Sequence, residues 1–126
     1  MLSLLADVLE AHGGLARWNR HRRVAATIVT GGGLWALKGL VQDATPRRMR
    51  VDLHREWASV SPYGAPGQYT EFTPDRIAIM SPAGAVIAER PEPRASFAGH
   101  GFHTPWDALH RSYFNGYALW TYLTSP

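Results

Sequence analysis

The segment HTPWDALHRSYFNGYALWTYL, residues 103–123, is rich in aromatic side chains, and how it folds determines how the rest of the chain is arranged. Thr104 offers a hydroxyl for an N-cap and Pro105 suits the first helical position. Asp107 completes a capping-box-like pattern and faces the positive end of the helix dipole. Trp106, Leu109, Tyr113, Tyr117 and Trp120 then recur at intervals of three and four, which makes one aromatic stripe along a helix. Asp107 and Arg111 stand four apart on the other side and are expected to pair. Gly116 costs about 1 kcal/mol against alanine in a helix interior, so its presence predicts a close approach by another element.

An aromatic helix needs an apolar surface to cover, and the middle of the chain supplies one. RRMRVDLHREW, 47–57, alternates as a strand: Met49, Val51, Leu53 and Trp57 on one face, Arg48, Arg50, Asp52, His54 and Glu56 on the other. Arg55 falls on the apolar face, where it needs a partner or must reach the rim of a cavity or the solvent. VAATIVT, 24–30, is β-branched and reads as a strand. Gly31–Gly33 read as a turn or bulge, after which LWALK, 34–38, is expected to resume the extended pattern. The three glycines lack the Gly-Lys-Ser/Thr and the following helix of a phosphate loop. SPYGAPG, 61–67, is a loop, followed by short strands at GQYTEFT, RIAIM and AVIAER. TPD, 73–75, and SPAG, 81–84, are tight links, so neighbours pair antiparallel. RPEPR, 90–94, leads away from the sheet.

At the other end, residues 3–12 have the spacing of an amphipathic helix with Leu4, Leu5, Val8 and Leu9 facing inward. Gly13 stands where a left-handed cap ends it near His12. Leu15 and Trp18 predict a further short turn of helix. The order helix, antiparallel strands, helix gives an α+β fold: a curved antiparallel sheet of five or six strands, with an N-terminal helix and an aromatic C-terminal helix on one face.

The 126 residues suit one domain. No run approaches the ~20 apolar residues of a membrane span. MLSLLADVLEAHGG lacks the basic start of a secretory signal, and Asp7 and Glu10 interrupt its apolar run, so the cytoplasm is the expected compartment. With no cysteine, disulfides, thiolate chemistry and Cys-ligated zinc are excluded. A net charge of +3 and the cluster RWNRHRR, 17–23, raise nucleic acid as a partner. Charge alone is a nonspecific signal, and arginines in a short connector are more often a solvated surface.

Chemistry-bearing groups are few. His100, His103, Asp107 and His110 are the one metal-like grouping, and an enzyme centred there is a competing reading, although Asp107 already has a capping task. No G-x-S-x-G elbow occurs, and the serines sit in turns or helix positions. The aromatic stripe reads either as plain core or as one wall of an apolar cavity whose other wall carries Trp35 and Trp57.

The stretches HGGLARWN, GGLWALKG, TPDRIAI, ERPEPRASFAGH and TPWDALHRSYFNGYALWTYLTSP together resemble a family of uncharacterised bacterial proteins, over nearly the whole chain. Members of that family continue past the segment matching YLTSP, so the resemblance implies the N-terminal half of a larger half-barrel. The helix–strands–helix order and the pair Arg90–Pro91 are also similar to bacterial periplasmic lipoprotein carriers, whose open curved sheet holds acyl chains beneath helices. The expectation is a non-enzymatic domain, without cofactor, that binds a hydrophobic or lipid-like molecule between sheet and C-terminal helix. Trp35, Trp57, Trp106, Tyr113, Tyr117 and Trp120 would line the site, with Arg55 near the mouth. A structural or interaction fragment, whose apolar face meets a missing second half, is the third reading; an open sheet edge would also invite pairing with another copy.

Overall fold

The computed structural model describes residues 2–125. Helices α1 (Leu2–Ala11) and α2 (Leu15–Asn19) lead into strand β1 (Arg23–Ile28) and the one-turn helix α3 (Gly33–Leu37). Strands β2 (Arg47–Asp52), β3 (Ala58–Ser61), β4 (Tyr69–Thr73), β5 (Arg76–Met80) and β6 (Val86–Pro91) follow. A short 3₁₀ helix (Pro93–Phe97) then precedes helix α4 (Ala108–Thr124). The six strands form one antiparallel sheet in sequence order, curved and unclosed, with β1 and β6 as its two edges. The fold is thus α+β with a curved antiparallel sheet, as the alternating strands and the terminal stripe imply.

The pleat decides what α4 covers. Val24, Ala26 and Ile28 of β1 face the same side as Met49 and Val51 of β2, Ala58 and Val60 of β3, Phe72 of β4 and Ile77 of β5. Tyr113 of α4 lies in this core, flanked by Leu109, Leu119, Trp120 and Leu123. Gly116 rests directly on Phe72: a Cβ there would fall 2.6 Å from the Cβ of Phe72 and closer still to Cγ. The close approach predicted from that glycine is therefore present, and the middle of the helix–sheet interface is packed solid.

Helix α4 begins later than its sequence suggests. Asp107, not Thr104, is the N-cap; its side chain accepts from the His110 N–H while His110 Nδ1 accepts from the Asp107 N–H. Thr104 instead closes the preceding loop, its hydroxyl accepting from the Gly101 N–H at 2.7 Å. The Trp106 N–H donates to the Lys38 carbonyl, which fixes the chain extended just before the helix. Nor does Asp107 pair with Arg111. Arg90 of β6 grips the Asp107 carboxylate through two nitrogens, at 3.2 and 2.5 Å. Arg111 turns the other way, lying over the Trp35 ring and donating to the Val41 carbonyl.

Two strand readings need correction. LWALK is helical, not extended. Its backbone bonds run from Lys38 N–H to Leu34 O and from Leu40 N–H to Trp35 O, and Gly39 ends the turn at φ 70°. That left-handed exit suits glycine. The run 47–57 is likewise broken, between Asp52 and Trp57. The Asp52 carboxylate accepts from the N–H groups of His54 and Arg55, folding residues 53–56 into a turn between β2 and β3. The turn shifts the alternation: Leu53 stays buried, but Trp57 emerges on the opposite face of the sheet. Finally, α1 meets the body lightly. Leu4 and Leu5, expected inside, are 66% and 55% exposed, and only Val8 and Leu9 are half-buried.

Candidate functional site: an apolar groove with a basic end

The aromatic residues expected to line one cavity are distributed over four places. Trp57 is on the outer face of the sheet, where its indole N–H donates to Glu71 at 2.7 Å. The guanidinium groups of Arg23, Arg50 and Arg55 lie 4.6 to 5.9 Å from the centre of its ring. Trp35 is buried on α3, edge-on to Phe114 at 5.9 Å, and belongs to the packing between α3 and α4. Neither faces the core that α4 covers.

Trp106, Tyr113 and Tyr117 do come together. With Arg94, Phe97, Phe114 and Ala118 they line a shallow groove of about 360 Å³ along one flank of α4. Phe97, which no sequence pattern singles out, organises this flank: its ring meets those of Trp106, His110 and Tyr113 at 4.8 to 5.7 Å. Lys38 braces the same side, donating to the Gly101 carbonyl at 3.0 Å with its ammonium 5.1 Å from the centre of the Trp106 ring.

Trp120 belongs to a second groove, at the end of α4. This one has three walls, because α1 and α2 stand off the sheet. Leu9, His12 and Gly14 form one, Leu15 and Trp18 of α2 form a second, and Leu53, Trp120, Thr124 and Ser125 close the far side around about 310 Å³. Its floor is the β2–β3 turn, held firmly on both sides. The Trp120 indole N–H is shared between the carbonyls of Asp52 and Arg55, at 3.0 and 2.9 Å. Opposite, the Leu53 N–H donates to the Arg22 carbonyl and His54 Nε2 donates to the His21 carbonyl at 2.7 Å.

The same turn continues into a recess of about 400 Å³ lined by Asn19, Arg20, His21, Arg22, Asp52, His54 and Arg55. Trp18 and His54 mark the border, their rings edge-on at 6.3 Å. Among the described residues, Asp52 is the one carboxylate in the recess. The backbone N–H groups of His54 and Arg55 and the nearby Arg55 and Arg22 charges hold its pKa below the usual value, against the opposing effect of burial. Arg55, predicted near a mouth, stands here with its side chain 63% exposed and its Nε 3.7 Å from Asp52.

The metal-like grouping does not assemble as a ligand set. The rings of His100 and His110 meet edge-on at 5.1 Å beside Phe97, His103 turns toward Phe102, and Asp107 and His110 cap α4. Among the described residues no three His, Cys, Asp or Glu side chains converge on a point that would hold a metal ion. Nor, among them, is any helix long and apolar enough to cross a membrane. Of the residues lining the end groove, sequence reasoning points to Leu9 as inward-facing on the first helix, Leu15 with Trp18 as an inward edge, and Trp120. It missed the part played by Leu53, because nothing local signals that α1 stands away from the sheet. No known protein family, no curated protein and no solved structure matches the chain.

Proposed function

We propose that this domain binds a hydrophobic or lipid-like molecule without transforming it, and that the molecule lies in the groove at the end of α4 rather than between the centre of the helix and the sheet. The observation that carries this reading is the three-walled apolar groove of Leu9, Leu15, Trp18, Leu53 and Trp120. The centre of the interface is closed by Gly116 against Phe72, so a ligand has no room there. The flank groove by Trp106 and Tyr117 has walls only from α4 and the segment before it, which gives less apolar enclosure to a bound chain. An open, curved antiparallel sheet covered by helices is also the form that the similarity to lipoprotein carriers implies.

The arrangement suits passive binding. The groove is lined mainly by aliphatic and indole side chains; its polar side chains, His12, Thr124 and Ser125, each bond a backbone carbonyl four residues back, and among the described residues none is hydrogen-bonded to another as a nucleophile–base pair.

Two tryptophans in the groove provide the test. Dibromostearate, which quenches indole fluorescence on contact, is expected to quench the protein saturably. In a Trp18→Phe/Trp120→Phe chain the quenching should largely vanish while calorimetric binding persists, because Trp35, Trp57 and Trp106 lie elsewhere. Native mass spectrometry of gently purified protein should show a bound apolar molecule. Absence of quenching, of calorimetric binding and of any copurifying mass would end this reading.

A further inference from the structure

The basic recess beside the groove bears on the polar end of the ligand. Resting on the binding reading above, we infer that the ligand is an anionic amphiphile: its acyl part occupies the apolar groove and its carboxylate or phosphate head is held by Arg20, Arg22 and Arg55.

Three observations carry this. The two spaces are continuous along the chain: Leu53 and Trp18 line the groove, while their immediate neighbours, His54 and Asn19, line the recess. Charge in the recess is unbalanced. Three arginines face one carboxylate, and that carboxylate is 3% exposed and already accepts two backbone N–H groups. Among the described residues, neither Arg20 nor Arg22 has a carboxylate within ion-pair distance of its side chain. Third, the floor of the recess is pre-set. Trp120 and Arg22 clamp the backbone of the 52–55 turn and the His21 carbonyl holds the His54 ring, so the turn that carries Arg55 needs no folding around a ligand.

Guanidinium is well suited to such a head group. Its planar fork donates two parallel hydrogen bonds to a carboxylate or phosphate, and it is weakly hydrated compared with an ammonium ion. A neutral lipid would fill the groove and leave these donors to water, gaining nothing from them. The recess therefore gives preference among ligands of equal apolar length.

Laurate, lauryl phosphate and lauryl alcohol share a chain and differ at the head, so calorimetry with the three separates the contributions. Laurate and lauryl phosphate should bind about tenfold tighter than the alcohol, the increment expected of a charge-assisted hydrogen bond or two. The preference should shrink as salt rises. In an Arg20→Gln/Arg22→Gln/Arg55→Gln chain, whose substituted side chains are all exposed, the acids should fall to the affinity of the alcohol while the alcohol's own affinity is kept. Equal binding of acid and alcohol by the unaltered protein would overturn the head-group assignment and leave the apolar groove standing. If none of the three binds, both readings fall. Inorganic phosphate is the remaining arm: if it binds as tightly as lauryl phosphate, the recess is a plain anion site and the inference is wrong.

Discussion

Gly116 shows how much one absent methyl group does. Phe72 has no exposed surface and sits against the helix where the glycine allows it. Gly116→Ala would gain helix propensity, yet the new methyl must displace a buried ring. Overpacking of this kind costs about 1–3 kcal/mol. We expect a net loss of stability of about 1–2 kcal/mol in urea unfolding, with part of it recovered when Phe72→Leu is added to make room. His110 is a second residue whose chemistry is set by its place. Burial pushes its pKa below the ordinary histidine value, outweighing the pull of Asp107, with Arg90 and His100 acting in the same direction as burial. Its ring accepts the capping bond from the Asp107 N–H, which requires Nδ1 to be free of a proton. The unfolded chain therefore takes up a proton more readily than the folded one. The stability this histidine supplies is complete above about pH 6.5 and is lost as pH falls from there through its lower folded value. Melting curves from about pH 5 to about pH 8 should show this slope. Glutamine at the position keeps a capping-box partner and cannot titrate, so His110→Gln should flatten it.

Among the elements, the β2–β3 turn joins the most interactions. Asp52 shapes it, Trp120 clamps it, and it floors both the groove and the recess. Asp52→Ala removes two bonds to backbone N–H groups, and we expect a loss of about 1–3 kcal/mol; Asp52→Asn, which keeps an acceptor, should lose less. Thermal denaturation of the pair measures the difference. The strand content was legible in the sequence, because β-branched runs alternate between tight links such as SPAG. The break at the turn was not. In the sequence Leu53 and Trp57 share the odd-numbered parity of Met49 and Val51, so the pattern reads straight through a bend that in the fold puts Trp57 on the opposite face. The Asp52–x–His54 spacing carries the signal of an Asx turn, and it loses to eleven residues of apparent alternation. Helix α3 was hidden for a different reason: five residues contain little more than one turn, too few to separate a period of 3.6 from one of 2. The aromatic stripe was legible as a helix and as core at Tyr113 and Trp120. Its phase was not, since Ser112 and Asn115 are buried while Tyr117 is 41% exposed. Small side chains near Gly116 let the helix settle close to the sheet, and that closeness rotates the larger rings toward the flank.

Across the whole molecule, stability is unevenly spread. Strands β2 to β5 and helix α4 share most of the buried side chains, whereas α1 presents Leu4 and Leu5 to solvent and leaves the body through Gly13 and Gly14, at φ 100° and 83°. Hydrogen exchange should therefore be much faster in α1 than in β2–β5 and α4. A bound amphiphile should slow exchange in α1 and α2 first; slowing confined to α4 and the 3₁₀ segment would place the ligand in the flank groove instead. The open sheet leaves hydrogen-bonding edges at β1 and β6, and Val86 and Ile87 on β6 are about half exposed. The pairing between copies that such edges invite predicts association that sedimentation velocity would register with rising concentration. The strand order has one further consequence. Each strand pairs with its neighbour along the chain, and no connection crosses back over another. Nothing is threaded. Ribbons can be stitched onto the first or last row, or unpicked from it, without disturbing the weave between.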